Sequence, residues 1–450
     1  MSNYTLTVGL EIHAELKTPT KMFCNSKNVT NETRPNSNVC PICMGYPGTL
    51  PTINKEALKS VIRLGIAVGG EVADYIEFDR KNYFYPDIPK GYQISQYKYP
   101  LVAGGVLNKV ALTRIHLEED TAKSTHTGEY SFLDFNRAGV PLMELVTEPV
   151  IKTAGEAADF ARELQLILRY LDMSDANMEK GEMRVEANVS VSKDKELGRK
   201  VEVKNLNSFR SVERAIKYEM DRQTKLLESG AEVIQETRGW NEEKGETFSQ
   251  RIKEESHDYR YFPDPDLPKL FLKEVKEFDR GVLEASLPEL PHNKRSRYKK
   301  DFGIKDQDIE VYIRDDKWGG FFEEVAVVLK DHELIKLASN YITSDLKTPI
   351  SIEALVEVIT MISRGEISSR GAKDILKIIQ ENGGEPKQIA EEKNLLQIND
   401  EKALKKLITE VMTENANAPI QFLVGQAMKK SKNRANPIIL QKLFLEVLEH

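Results

Sequence analysis

"TVGLEIHAEL", residues 7–16, alternates almost without a break. Leu6, Val8, Leu10, Ile12 and Ala14 fall on one side of an extended chain, and Thr7, Gly9, Glu11, His13 and Glu15 on the other. The stretch predicts a strand with one apolar face and a column of carboxylate and imidazole groups on the other. An amphipathic sheet can turn such a face to water without any function. What matters is whether other strands repeat it.

They do. In "TRIHLEEDTAKS" (113–124), Ile115 and Leu117 oppose His116 and Glu118, with Glu119 and Asp120 at the strand end. Glu144 interrupts the apolar "VPLMELVTEP" (140–149). In "GEMRVEANVSV" (181–191), Val185, Ala187, Val189 and Val191 oppose Arg184, Glu186, Asn188 and Ser190. In "KVEVKNLNSF" (200–209), Glu202 and Lys204 oppose Val201 and Val203. Solvated faces favour Thr, Ser and Lys, whereas here acids dominate, joined by the charged aromatic loop "DRKNYFYPD" (79–87). Clustered carboxylates repel one another unless a cation neutralises them. Hard oxygen ligands suit Mg²⁺ or Mn²⁺, ions that also bind substrate phosphates. The pattern thus leaves two readings open, a solvated sheet face and a metal–nucleotide site.

The 450 residues suffice for two or three domains. With 40% hydrophobic and 30% charged residues the composition is that of an ordinary soluble protein. No apolar run reaches the roughly 18 residues needed to cross a bilayer, and the N-terminus lacks a signal-peptide layout. Three cysteines are too few for a disulfide framework and fit a reducing, cytoplasmic setting. A net charge of −7 argues against non-specific coating of nucleic acid, though not against a local basic patch. The sequence contains no G-x-x-x-x-G-K-[ST], strand-linked G-x-G-x-x-G, G-x-S-x-G or H-E-x-x-H motif, so a bound nucleotide would need another architecture.

Mixed strands and helices run to about Leu272, with helices expected over 155–171 and 212–230. "SLPELPHNKRSRYKK" (286–300) marks a boundary, and beyond it strand patterns give way to short helices. The expectation is an α+β catalytic domain over 1–286, an all-α connector over 287–346 and a small helical tail domain over 347–450.

"VGLEIHAEL", "FDRKNYFYPDIPKGYQISQY", "RIHLEEDTAKSTH", "DFNRAGVPLMELVTEP", "VEVKNLNSF", "ETRGW" and "HDYRYFPDPDLP" together resemble the B subunits of the aspartyl/glutamyl-tRNA amidotransferases, the GatB family. The tail "FLVGQAMKKSKNRANPIILQKL" resembles that family's YqeY-like helical module. The resemblance covers nearly the whole chain. It implies an antiparallel or mixed-sheet cradle of the glutamine synthetase/guanido kinase kind, followed by the helical connector and tail. It also implies ATP-dependent amidation of Glu-tRNA(Gln) and/or Asp-tRNA(Asn): the side-chain carboxylate is phosphorylated, and ammonia from the glutaminase (A) partner then displaces the phosphate. A third partner, C, would join the two in a heterotrimer.

The resemblance places Glu11, His13, Glu118, Glu119, Glu144 and Glu202 at metal-binding positions. Arg80, Lys81, Arg184 and Lys204 are candidates to face phosphate and acceptor carboxylate, with ordinary ion pairing as their alternative. Lys81 and Glu186 stand where ammonium would lose its proton, although the family usually has Asp at position 186. Tyr83, Tyr85, Lys90, Tyr92 and Gln93, with Asn188 and Asn205, suit binding of nucleotide or the tRNA 3′ end, packing being the alternative for the tyrosines. His257 and Arg260 carry the signature without an evident role.

Cys24, Cys40 and Cys43 correspond to three of four thiolates that hold zinc in many members, but Ser26 stands at the fourth position. A metal-free loop is therefore expected, with zinc as the alternative. In "KKSKNR", Lys429, Lys430, Lys432 and Arg434 are candidates for tRNA phosphate contacts. The link before "FLVGQ" is shorter than the family's. The competing function is a non-catalytic tRNA-binding scaffold, which would have no use for six metal-ligand-type residues. A carboxylate–amine ligase acting without tRNA is disfavoured by the tail.

Overall fold

A computed structural model describes residues 4–29, 31–193, 196–252, 259–415, 418–431 and 434–448. The chain divides into two compact units, Met1–Leu290 and Pro291–His450.

The first unit is built on a ten-stranded sheet. Its longer strands are β1 (Thr5–Glu15), β2 (Val110–Glu119), β3 (Pro141–Thr147), β4 (Met183–Ser192), β5 (Val201–Leu206), β6 (Glu236–Asn241) and β7 (Glu246–Ile252). They lie in the order β7-β6-β5-β4-β1-β3-β2, continued by the short strands Val102–Ala103 and Glu71–Val72. The pairings are antiparallel except for β5 with β6.

Alternation decides which face is which. Leu10, Ile12, Ala14, Val189 and Leu145 are fully buried in one apolar cluster. Buried residues of α1 (Lys55–Ala67), α2 (Ala154–Tyr170) and α3 (Phe209–Glu228) join the same cluster, so these helices cover that face. Each starts at a side-chain cap: Asn54, Thr153 in a capping box with Glu156, and Ser208.

Register aligns the polar residues of the other face into rows. Arg184, His13, Glu144 and His116 oppose one another across β4, β1, β3 and β2. Glu186, Glu11, Val146 and Arg114 form the next row. A smaller sheet of Phe262–Pro263, Asp79–Asn82 and Tyr92–Ser95 belongs to the same unit.

The described part of the second unit is helical apart from isolated bridges. Ile352–Ser363 and Ser369–Asn382 are helices, the latter ending at Gly383, whose φ of 70° suits a residue without Cβ. Leu404, Ile408, Val411, Leu423, Leu440 and Phe444 make a separate small core near the C-terminus. Among the described residues no helix is long and apolar enough to cross a membrane.

Candidate functional site

The polar sheet face and the smaller sheet enclose a cavity of about 440 Å³. From β1–β5 come Glu11, His13, Arg114, His116, Glu118, Glu144, Arg184, Glu186, Glu202 and Lys204. Lys81, Tyr83, Gln93, Gln96, Tyr97, Lys200, Tyr259 and Tyr261 are also among the lining residues. Asn82 helps hold the last two, donating Nδ2 to the Tyr259 carbonyl at 3.1 Å and to that of Arg260 at 2.8 Å.

Two ligand groups stand out. His13, Glu118 and Glu144 present donor atoms within 4.8 Å of one another, and so do Glu11, Glu186 and Glu202. His13 Nε2 lies 3.3 Å from Glu144 Oε2 and 3.6 Å from Glu118, and His116 Nε2 lies 3.4 Å from Glu144. Burial opposes a charge on His13, but the hydrogen bond and charge of Glu144, helped by Glu118, outweigh it and push the imidazole up to about 9. Burial also favours neutral Glu144, yet His116 and His13 hold it well below the usual carboxylate range. In the second group Lys204 lies 2.8 Å from Glu186 and 3.4 Å from Glu202. Asn188 donates to Glu11 at 2.8 Å, and Thr237 to Glu202 at 2.7 Å.

Both groups fit a divalent cation. Their donors are carboxylate oxygens plus one imidazole, a set suited to Mg²⁺ or Mn²⁺. Among the described residues, buried Glu118 Oε2, His116 Nδ1 and Asn188 Oδ1 find no hydrogen-bond partner, a state that folded proteins rarely leave unfilled.

Other expected residues lie outside the two ligand groups. Glu119 follows Glu118, so alternation turns it away. Its carboxylate pairs with Lys90 and accepts the Ile94 amide at 2.9 Å. Arg80 binds Asp264 at 2.7 Å and Asp266 at 3.1 Å, and its guanidinium covers the Tyr92 ring at 4.3 Å. Tyr85 is exposed, as is Asn205, whose φ is 65°. Arg184 reaches the cavity while paired to Asp120 at 2.7 Å. Lys81 makes no ion pair among the described residues. Burial opposes its charge, but Glu118 and its neighbours outweigh burial and raise its pKa.

Arg114, His116, Asp120, Tyr97, Tyr259 and Tyr261 also line the cavity. The signal for Arg114 was present, since it lies two residues before His116 in the same alternation. The tyrosines lie within the quoted strings, but in loops and a distant segment where alternation does not show which way a side chain points. His257 lies outside the described residues.

The sulfurs of Cys24, Cys40 and Cys43 lie within 4.8 Å of one another. Ser26 Oγ is 3.8 Å from Cys43 Sγ, and the buried Lys21 ammonium is 3.7 Å from it. The Cys24 hydrogen bond, with Lys21 nearby, brings the Cys43 thiol down to about 4. Three thiols, a hydroxyl and an ammonium do not make a closed zinc site.

In the tail, Lys429 is exposed. Lys430 pairs with Glu414 at 2.7 Å and Glu410 at 3.3 Å. Arg434 Nε donates to the Leu396 carbonyl at 3.4 Å. Lys432 lies outside the described residues.

Comparison with known proteins bears on both units. Residues 6–276 match the family model of the GatB/GatE catalytic domain, and residues 325–448 match that of the GatB domain. A protein of Persephonella marina is 41% identical over 98% of this chain and 99% of its own. One from Crocosphaera subtropica is 40% identical over 99% and 98%. One from Thermoanaerobacter pseudethanolicus is 41% identical over 99% of each. All three are named as B subunits of aspartyl/glutamyl-tRNA(Asn/Gln) amidotransferase.

Proposed function

The chain belongs to the GatB family of amidotransferase B subunits, and from that premise we propose that its acidic cavity is the site where the aminoacyl carboxylate is phosphorylated and amidated. The enzyme is a glutamine-dependent ligase that forms C–N bonds, converting mischarged Glu-tRNA(Gln) or Asp-tRNA(Asn) to Gln-tRNA(Gln) or Asn-tRNA(Asn) with the use of ATP. A purely scaffolding role is not favoured.

The observation that carries the site is the pair of ligand groups on one sheet face, facing cations and aromatic rings across a single cavity. His13, Glu118 and Glu144 would hold one Mg²⁺ or Mn²⁺, and Glu11, Glu186 and Glu202 a second. Bound there, a divalent ion supplies positive charge against phosphate oxygens. A carboxylate oxygen of the aminoacyl side chain attacks the γ-phosphorus, forming a C–O–P link as the bond to ADP breaks. Ammonia then adds to the acyl carbon, phosphate leaves, and the attacking nitrogen gives up a proton.

Lys81, held in its charged form, serves as a cation toward phosphate. Glu186, 2.8 Å from Lys204, is the acceptor we assign for a proton from ammonium. Tyr83 and Gln93, which line the cavity, would contact nucleotide or the tRNA 3′ end. The A and C subunits of the amidotransferase are the proposed partners, the former as the ammonia source, and the cytoplasm is the proposed setting. The glutamine synthetase/guanido kinase-like cradle over 1–286, the connector over 287–346 and the tRNA-contacting YqeY-like tail over 347–450 belong to the same proposal.

The test is turnover by the complete heterotrimer with each mischarged tRNA. Glu144→Gln should abolish γ-phosphate transfer while tRNA binding persists. Unchanged turnover in that variant would remove the site.

A further inference from the structure

We propose that Arg114 grips the γ-phosphate of the nucleoside triphosphate, an assignment that rests on the phosphoryl-transfer reading above. Of the basic groups in and beside the cavity, three already have an anion, whereas Lys81, Lys200 and Arg114 make no ion pair among the described residues. Arg184 is held by Asp120, Lys204 by Glu186 and Glu202, and Arg80 by Asp264 and Asp266. Arg114 lines the cavity yet makes no ion pair among the described residues, and its Nε is buried without a hydrogen-bond partner. A guanidinium donor taken from water and left unbonded is costly, and it is stabilised when an anion enters.

Register fixes where that anion would lie. Arg114 stands opposite Val146, which stands opposite Glu11, which in turn stands opposite Glu186. Two strand spacings, roughly 10 Å, therefore separate the Arg114 and Glu11 backbones. On its own strand Arg114 lies two residues from His116, whose Nε2 is 3.4 Å from Glu144. Arg114 thus stands one row from the first ligand group and in the same row as Glu11 and Glu186 of the second, with Val146 between. A polyphosphate spanning the two groups would bring its terminal phosphate beside Arg114.

No carboxylate pairs with Arg114 among the described residues, and two acids of the ligand groups are already engaged. Glu144 is engaged by two imidazoles, and Glu202 by Thr237 and Lys204. The planar fork of arginine matches two phosphate oxygens at once, and lysine cannot reproduce that geometry.

The test uses the complete heterotrimer with Arg114→Gln and Arg114→Lys. Binding of a non-hydrolysable ATP analogue and of ADP is measured by calorimetry, and the site's cations are probed with Mn²⁺. Arg114→Gln should weaken the analogue by about tenfold to a hundredfold, as expected for loss of a charged hydrogen bond. ADP and Mn²⁺ affinities should stay at wild-type values, and Arg114→Lys should fall between. Equal weakening of ADP, an unchanged analogue affinity, or a defect confined to aminoacyl-tRNA binding would overturn the assignment. The last of these would point to the acceptor carboxylate as the partner. If Arg114→Gln loses Mn²⁺ binding through misfolding, Arg114→Lys decides. Absence of γ-phosphate transfer in the wild-type heterotrimer would instead sink the phosphoryl-transfer reading, so the two failures are distinguishable.

Discussion

Thr237 donates its hydroxyl proton to Glu202 Oε2 at 2.7 Å across the parallel β5–β6 pair, while Lys204 lies 3.4 Å from Oε1. Both oxygens of one carboxylate in the second ligand group are thereby held. The "ETRGW" segment is fastened in turn, since Arg238 meets Glu219 of α3 at 3.2 Å and Glu236 at 2.7 Å. Partners that orient a ligand in this way typically matter about tenfold or more in metal affinity. Thr237→Val should raise the Mg²⁺ concentration for half-maximal phosphoryl transfer by about tenfold, with Thr237→Ser restoring it. An unshifted Mg²⁺ titration would show that the hydroxyl does not support the site.

Arg80 is expected to act through folding. Its partner Asp264 is completely buried, so Arg80→Met leaves a carboxylate without its cation. The cost should be about 3 kcal/mol, read from urea unfolding. The ATP KM of the folded heterotrimer should stay near wild type. A large rise in KM with unchanged stability would place Arg80 on the nucleotide instead.

Stability should fall as pH rises toward 8. Burial and the neighbouring Asp120 push Glu15 from 4.5 up to about 8. The folded state therefore keeps a proton that the unfolded chain has released, and stability is lost between pH 4.5 and about 8. In the metal-free protein His13, raised from 6.5 to about 9, adds a loss in the same direction. Glu15→Gln removes the first contribution but not the second. Melting temperatures across this range should therefore decline less in the variant. Parallel curves would show that Glu15 titrates normally.

In the tail the lysines should behave differently. Lys430 already faces Glu410 and Glu414, whereas Lys429 is exposed. Lys429→Ala should weaken tRNA binding and lower the salt-dependence slope by about one, and Lys430→Ala should change it less. Filter binding at several salt concentrations measures both.

The cysteine cluster should be indifferent to metal removal. Lys21 supplies positive charge 3.7 Å from Cys43, so a zinc-selective chelator should leave the melting curve unchanged. A clear loss of stability together with released zinc would show that the cluster holds the ion with another ligand.

Strand alternation made the acidic face legible residue by residue. Glu11 and His13 had to share a side, as did His116 with Glu118 and Arg184 with Glu186, because side chains two apart in a strand point the same way. The same rule separates Glu119 from Glu118, which motif position alone did not reveal. Family motifs identified the enzyme, since long ordered strings such as "FDRKNYFYPDIPKGYQISQY" carry far more information than composition.

Local sequence could not say which strands would be neighbours. The order β5-β4-β1-β3-β2 brings residues from positions 11, 114, 144 and 202 to one cavity, and cross-strand register divides the acids into two groups. Nor could charge alone distinguish Arg80, neutralised by an aspartate far along the chain, from Arg114, left with an unbonded buried nitrogen. The face of each strand follows from covalent geometry and the burial of apolar side chains, both local properties. Partnership among charges depends on which distant segments pack together, so the tertiary structure alone decides it.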